Sequence, residues 1–126
     1  MANGAPKKIL IVEDDLVSSM AISLMLQDEG YEVVDQLMSA DNLLESVEST
    51  SPDLLLLDVR LKGHIDGTTA AQQLRKTHEL PIIFLTAFND EETKLIIQKI
   101  SNSGLINKPY NLNEIVTTIE KVFSKS

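Results

Sequence analysis

The chain has 126 residues and no cysteine, which suits one domain spanning residues 1–126 and excludes disulfides, thiolate metal sites and thiol nucleophiles. A formal net charge of -8 leaves no basic footprint for nucleic acid or an anionic membrane, so the expected partners are proteins. No apolar run approaches the roughly 20 residues that span a bilayer, and residues 1–8 lack the apolar stretch of a signal peptide, so the expected location is cytoplasmic, with residues 1–6 as a disordered extension.

Apolar runs alternate with helical periodicity five times, as successive βα units feeding a parallel sheet do. Lys8-Ile9-Leu10-Ile11-Val12 reads as a first strand that ends in Glu13-Asp14-Asp15. Val17, Met20, Ala21, Leu24 and Met25 then follow helical spacing, which predicts an apolar stripe facing the core, and Gly30 ends that helix. A second strand, about residues 31–37 with Met38 near its end, leads to a helix carrying Leu43, Leu44 and Val47, broken by Ser51-Pro52. Leu54-Leu55-Leu56-Leu57 forms the third strand, closed abruptly by Asp58. A polar loop, residues 59–66, and Gly67 precede a helix expected to bury Ala70, Ala71 and Leu74.

Pro81 marks entry to the fourth strand, Ile82-Ile83-Phe84-Leu85, which runs into Thr86. Asn89-Asp90 opens the next helix, with Glu91 and Glu92 at the positive end of its dipole and Ile96, Ile97 and Ile100 expected to pack inward. Gly104-Leu105-Ile106-Asn107 forms the fifth strand and runs into Lys108-Pro109. The last helix places Leu112, Ile115, Val116, Ile119 and Phe123 on one face, capped by Asn111 or Asn113. Right-handed crossovers would wind these units into an α/β three-layer sandwich with helices on both faces of the sheet.

Four strands thus end on polar groups at one rim, where the ligand crevice of an open parallel sheet lies. Glu13, Asp14 and Asp58 would surround one cavity, and like charges so close do not all stay ionised without compensation. Oxygen-only ligands select a hard cation, here Mg²⁺. Lys108 supplies a point charge for a phosphoryl oxygen and Thr86 a hydroxyl hydrogen bond to another. Together these parts describe phosphoryl transfer onto a carboxylate, with Asp58 as nucleophile. Each residue has a plainer reading alone: an acidic pair as a helix cap, a threonine as a structural strand end, a lysine before a turn as a surface charge. Their joint occurrence at four strand ends favours the chemical one. His64 and His78 stand isolated and read as solvated side chains, while Met20 and Met25 read as core residues.

Ile9-Leu10-Ile11-Val12-Glu13-Asp14-Asp15, Asp58 with Asp66-Gly67, Leu85-Thr86-Ala87 and Asn107-Lys108-Pro109-Tyr110 resemble, in order, the motifs of the receiver domain of two-component response regulators. The resemblance runs from Lys8 to Phe123 and implies a (βα)5 flavodoxin-like fold with strand order 2-1-3-4-5. It implies that Asp58 accepts phosphate from a phosphohistidine on a sensor histidine kinase or a phosphotransfer protein. Mg²⁺ would be held directly by Asp14 and Asp58, by Glu13 through water, and by the backbone carbonyl of Arg60. Thr86 and Lys108 would bind the phosphoryl oxygens and rearrange the face of helix four, strand five and helix five toward a downstream protein. Self-phosphorylation and slow autodephosphorylation are implied, not enzymatic turnover.

The chain departs from the family pattern at three places. Lys62 stands where a proline is usual, in a loop from Asp58 to Asp66 that is one residue longer than in the commonest members. Leu105 stands where the family carries a switch aromatic. Arg60 and Phe88 occupy the positions expected to flank the phosphoryl group and tune its lifetime. Aspartate-nucleophile phosphatases of the haloacid dehalogenase type share the kit of Asp, Thr, Lys and an acidic pair, but carry the nucleophile on the first strand and the pair last. A flavin-binding module of the same topology would need a phosphate loop where Glu13-Asp14-Asp15 stands. A degenerate receiver used only for docking would not retain all five site residues.

Overall fold

The computed structural model describes residues 5–61, 63, 65–87 and 89–124. The expectations placed on residues 1–4, Lys62, His64 and Phe88 lie outside the described residues, while Ala5 and Pro6 are exposed and belong to no regular element. The chain runs β1 (Lys8–Val12), α1 (Leu16–Asp28), β2 (Glu32–Leu37), α2 (Leu43–Thr50), β3 (Leu54–Asp58), α3 (Gly67–Arg75), β4 (Ile82–Ala87), α4 (Glu91–Gln98), β5 (Ser103–Lys108) and α5 (Leu112–Ser124). The five strands are all parallel and pair in the order β2-β1-β3-β4-β5, the expected three-layer α/β sandwich.

The central strands are apolar on both faces because both faces are covered. Leu10, Val12, Leu55, Leu57, Ile82 and Phe84 pack on one side with α2, α3 and α4; Ile9, Ile11, Leu54, Leu56, Ile83 and Leu85 pack on the other with α1 and α5. This period-two division assigns every second leucine of Leu54–Leu57 to a different core layer. Asp58, next in line, emerges at the carboxyl edge between β1 and β4. Among the described residues, no helix is long and apolar enough to cross a membrane.

α1 overturns one expectation. Val17, Met20 and Leu24 are 74%, 52% and 65% exposed, and the helix buries Ser19, Ile22, Ser23 and Leu26 instead. Apolar residues surround this helix, so periodicity alone could not select the inward face. The serines are accommodated because they are short and hydrogen-bonded: Ser19 Oγ donates to Gln36 Oε1 at 2.9 Å, and Ser23 Oγ accepts from Gln27 Nε2 at 2.9 Å. Of the apolar stripe expected there, only Met25 packs against the core, from a partly buried position. Leu44, Ile96 and Leu112 likewise turn outward, while Leu43, Val47, Ala70, Ala71, Leu74, Ile97, Ile100, Ile115, Val116 and Ile119 are buried as expected.

Four of the five helices given above start at side-chain caps, α2 being the exception. Asp15, Asp66 and Asp90 accept from Val17, Thr69 and Thr93 backbone N–H groups, and Asn111 forms a reciprocal capping box with Glu114. Of the two asparagines considered for α5, Asn111 is the cap. Gly67 is required by close approach: a Cβ there would fall 2.3 Å from the Asp58 carbonyl oxygen and 2.9 Å from Val59 Cα. Its N–H donates to the Val59 carbonyl at 2.8 Å, fastening the start of α3 to the end of β3.

Candidate functional site

β1 and β3 are adjacent, so Glu13 and Asp14 at the end of one face Asp58 at the end of the other. Glu13, Asp14 and Asp58 each offer a carboxylate oxygen within 4.8 Å of the others. Glu13 and Asp58 are 2% and 1% exposed, so their charges are held where water screens them poorly. Burial pushes the Glu13 carboxyl up to about 7; the backbone N–H of Asp15 pulls the other way, and the negative charge of Asp58 adds to the rise. The arrangement carries an excess of negative charge that a hard cation would relieve, and its all-oxygen donor set fits one.

Lys108, at the end of β5, reaches across β4 to place Nζ 2.7 Å from Asp58 Oδ2. Asp58 Oδ1 accepts from the backbone N–H of Arg60 at 3.0 Å. Both carboxylate oxygens of Asp58 therefore have a positive or N–H donor partner in addition to the acidic neighbours. Thr86 follows Leu85, the β4 partner of Asp58, and its Oγ1 is buried with no hydrogen-bond partner among the described residues. An orphaned buried hydroxyl costs on the order of 1–3 kcal/mol, and a ligand that accepts its proton would recover much of that.

The five residues expected at the site thus fall at one rim. Arg60 joins them through its backbone, whereas its side chain is 77% exposed and lies 3.7 Å from Asp90, the cap of α4. Asp14, Arg60, Asp66, Asp90 and Thr93 line a cleft of about 410 Å³ beside the carboxylates. Burial pushes the Asp66 carboxyl up, but hydrogen bonds from Thr69 and Thr68 outweigh it and hold the group below its ordinary value. Asp90 is also held low, chiefly by the Thr93 hydroxyl and N–H.

Sequence reasoning passed over Tyr110. Burial first, then the negative charges of Glu13, Asp58 and Asp15, push its hydroxyl up to about 12, which places the phenol within the field of the site. Its position two residues beyond Lys108 was the available signal. His78, read as solvated, is half-buried with Nδ1 at 2.8 Å from the Thr77 hydroxyl, and it precedes the start of β4, at the opposite end of that strand from Thr86.

A family model described as the response regulator receiver domain matches residues 9–120. The transcriptional regulatory protein PdtaR of Mycobacterium tuberculosis is 29% identical over 123 residues, which cover 95% of this chain and 58% of PdtaR, so the chain spans little more than half the length of that relative. The structure is similar to the receiver domain of the TMAO respiratory system response regulator TorR, with a TM-score of 0.87 and 28% identity over 95% of this chain and 98% of that one. It is also similar to the BeF3-activated N-terminal receiver domain of Klebsiella pneumoniae RstA, with a TM-score of 0.83 and 28% identity over 91% and 97% of the two chains.

Proposed function

This chain belongs to the response regulator receiver domain family, and on that premise we infer that it is the phosphoacceptor of a two-component phosphorelay, taking a phosphoryl group on Asp58 from a phosphohistidine of a sensor histidine kinase or phosphotransfer protein. The observation that carries this reading is the convergence of three carboxylates within 4.8 Å, with Lys108 Nζ 2.7 Å from Asp58 and the unpartnered Thr86 hydroxyl beside them.

In the transfer, an Asp58 carboxylate oxygen attacks phosphorus, the P–N bond to the donor imidazole breaks, and the imidazole leaves with the electron pair and regains a proton from solvent. Lys108 exchanges its contact with Asp58 for one with a phosphoryl oxygen, and Thr86 donates to another. Asp14 and Asp58 would hold Mg²⁺ directly, Glu13 through water and Arg60 through its backbone carbonyl, and the ion would offset the repulsion between carboxylate and phosphoryl oxygens. Arg60, two residues beyond the acceptor, sets how readily water reaches the phosphoryl group. The domain hydrolyses its own acyl phosphate slowly and turns over no other substrate. The signal leaves through protein contacts of α4, β5 and α5, in the cytoplasm and without direct binding to nucleic acid or membrane.

Mass spectrometry of the intact protein and of Asp58→Asn, after incubation with acetyl phosphate and Mg²⁺, tests this. One labile phosphoryl group on the wild type and none on the variant is expected; an adduct of equal yield in both would remove Asp58 from the role.

A further inference from the structure

Thr86 and Asn107 are register partners on β4 and β5. Their pairing is regular from Ile82↔Ser103 to Ala87↔Lys108, so strand alternation carries both side chains to the face that bears Phe84 and Leu105. Each ends in a buried oxygen with no hydrogen-bond partner among the described residues, Thr86 Oγ1 and Asn107 Oδ1. Two orphans on adjacent strands, one register step wide, are unusual in a folded core, where such groups are almost always paired.

Their chemistry is complementary. A threonine hydroxyl has one proton to give and lone pairs to receive, while an asparagine amide presents an acceptor on one side and a donor on the other. We propose that Asn107 is a positioning residue for Thr86, its amide turning to donate from Nδ2 to Thr86 Oγ1 when the Thr86 hydroxyl gives its own proton to a phosphoryl oxygen on Asp58. The proposal rests on the phosphoacceptor reading above. Once the hydroxyl points at the phosphoryl group, its lone pairs face β5, and an amide oxygen there would oppose them. A half-turn of the amide gives Thr86 Oγ1 a donor and joins the two residues in one chain of hydrogen bonds, each link polarising the next.

This assigns a role to a face whose usual reporter is absent. Leu105, two residues earlier on the same face of β5, is aliphatic and has no polar tip to exchange partners. Asn107 is the polar group on that strand face whose bonding changes with the state of Thr86, so β5 registers phosphorylation through an amide and not through a ring.

The test uses beryllium trifluoride, a phosphoryl mimic, titrated with Mg²⁺ present into the wild type, Asn107→Leu, Thr86→Ala and the double variant. Asn107→Leu is expected to weaken binding about tenfold when Thr86 is present and less than about twofold when it is alanine, because coupling disappears with the partner. Affinity for Mg²⁺ alone should be unchanged throughout. An equal loss in both backgrounds, no loss in either, or a parallel loss of Mg²⁺ affinity would overturn the proposal. The side-chain amide of Asn107 gives a second readout that needs no folded variant at that position: its ¹⁵N–H resonances should move on beryllofluoride addition in the wild type and stay in place in Thr86→Ala, and unmoved wild-type resonances would also overturn it. If the wild type binds no beryllofluoride, the phosphoacceptor reading itself falls and takes the proposal with it.

Discussion

Lys108 Nζ lies 2.7 Å from Asp58 Oδ2, an ion pair that spans β4 and joins the ends of β3 and β5. Its two members differ in environment: the Asp58 side chain is 2% exposed and the Lys108 side chain 37%. Lys108 is thus the cation paired with a carboxylate that is also crowded by Glu13 and Asp14.

Replacing Lys108 by methionine keeps the stem and removes the charge. Half exposure of the lysine argues for a loss of about 1–2 kcal/mol, below the 3–5 of a fully buried pair. The loss should be larger at pH 8 than at pH 5, since protonated Glu13 can donate to Asp58 at the lower pH and stand in for the missing cation. Urea unfolding at both pH values measures it; an equal loss at each would mean that Lys108 acts through packing of its stem.

Glu13 sets a second pH dependence. Its carboxyl titrates near 4.5 when exposed and at about 7 in the folded protein, mainly through burial. Between these values the folded state holds the extra proton, so this group's stabilising contribution is present below about 4.5 and is lost as pH rises toward 7, at up to about 1.4 kcal/mol per unit. A cation competes with that proton. Magnesium affinity should therefore fall below pH 7, by at most about tenfold per unit, with proton release on binding. Calorimetry at pH 6 and 8 in buffers of different ionisation enthalpy would detect both, and Glu13→Gln should abolish the proton release.

Gly67 sits against the backbone of Asp58, and a Cβ there would come within 2.3 Å of the Asp58 carbonyl oxygen, a backbone atom that cannot yield as a flexible side chain would. Gly67→Ala should cost about 1–3 kcal/mol and move the acceptor strand end. Gly104→Ala, where a Cβ meets nothing within 4 Å, should be close to neutral. Thermal melts of the two variants provide the comparison, and equal midpoints would contradict it.

The two sides of α1 predict opposite outcomes from apolar residues of similar size. Ile22→Ala, at a fully buried position, should cost about 2–5 kcal/mol, while Leu24→Lys, on a face 65% exposed, should stay within about 0.5. Denaturant midpoints reversed in order would restore the stripe of Val17, Met20 and Leu24 to the core.

That helix also shows what was legible in the chain. β1, β3 and β4 could be read because a strand covered on both faces is a short unbroken apolar run, and the polar residue that ends it marks the rim. The same punctuation located Glu13, Asp58 and Thr86, which directly follow such runs, and Asp14 one residue beyond, whereas Lys108 follows only the short Leu105-Ile106 pair of the edge strand β5 and Asn107. In α1, seven large apolar residues surround a 13-residue helix, and two serines face inward only because Gln36 and Gln27 satisfy them. Those partners are remote or local hydrogen bonds that periodicity does not encode. Tyr110 and Asn107 were passed over for a related reason: their importance comes from the field and register of neighbouring strands, not from a pattern in their own segment.

The central claim is that a divalent cation lets the buried carboxylate at position 58 accept a phosphoryl group. Reductive trapping with borohydride after acetyl phosphate treatment, followed by peptide mapping with Mg²⁺ or with a chelator present, tests it most directly. The account predicts reduction at Asp58 with Mg²⁺ and essentially none with the chelator; trapping at another carboxylate, or an Asp58 yield indifferent to the metal, would contradict it.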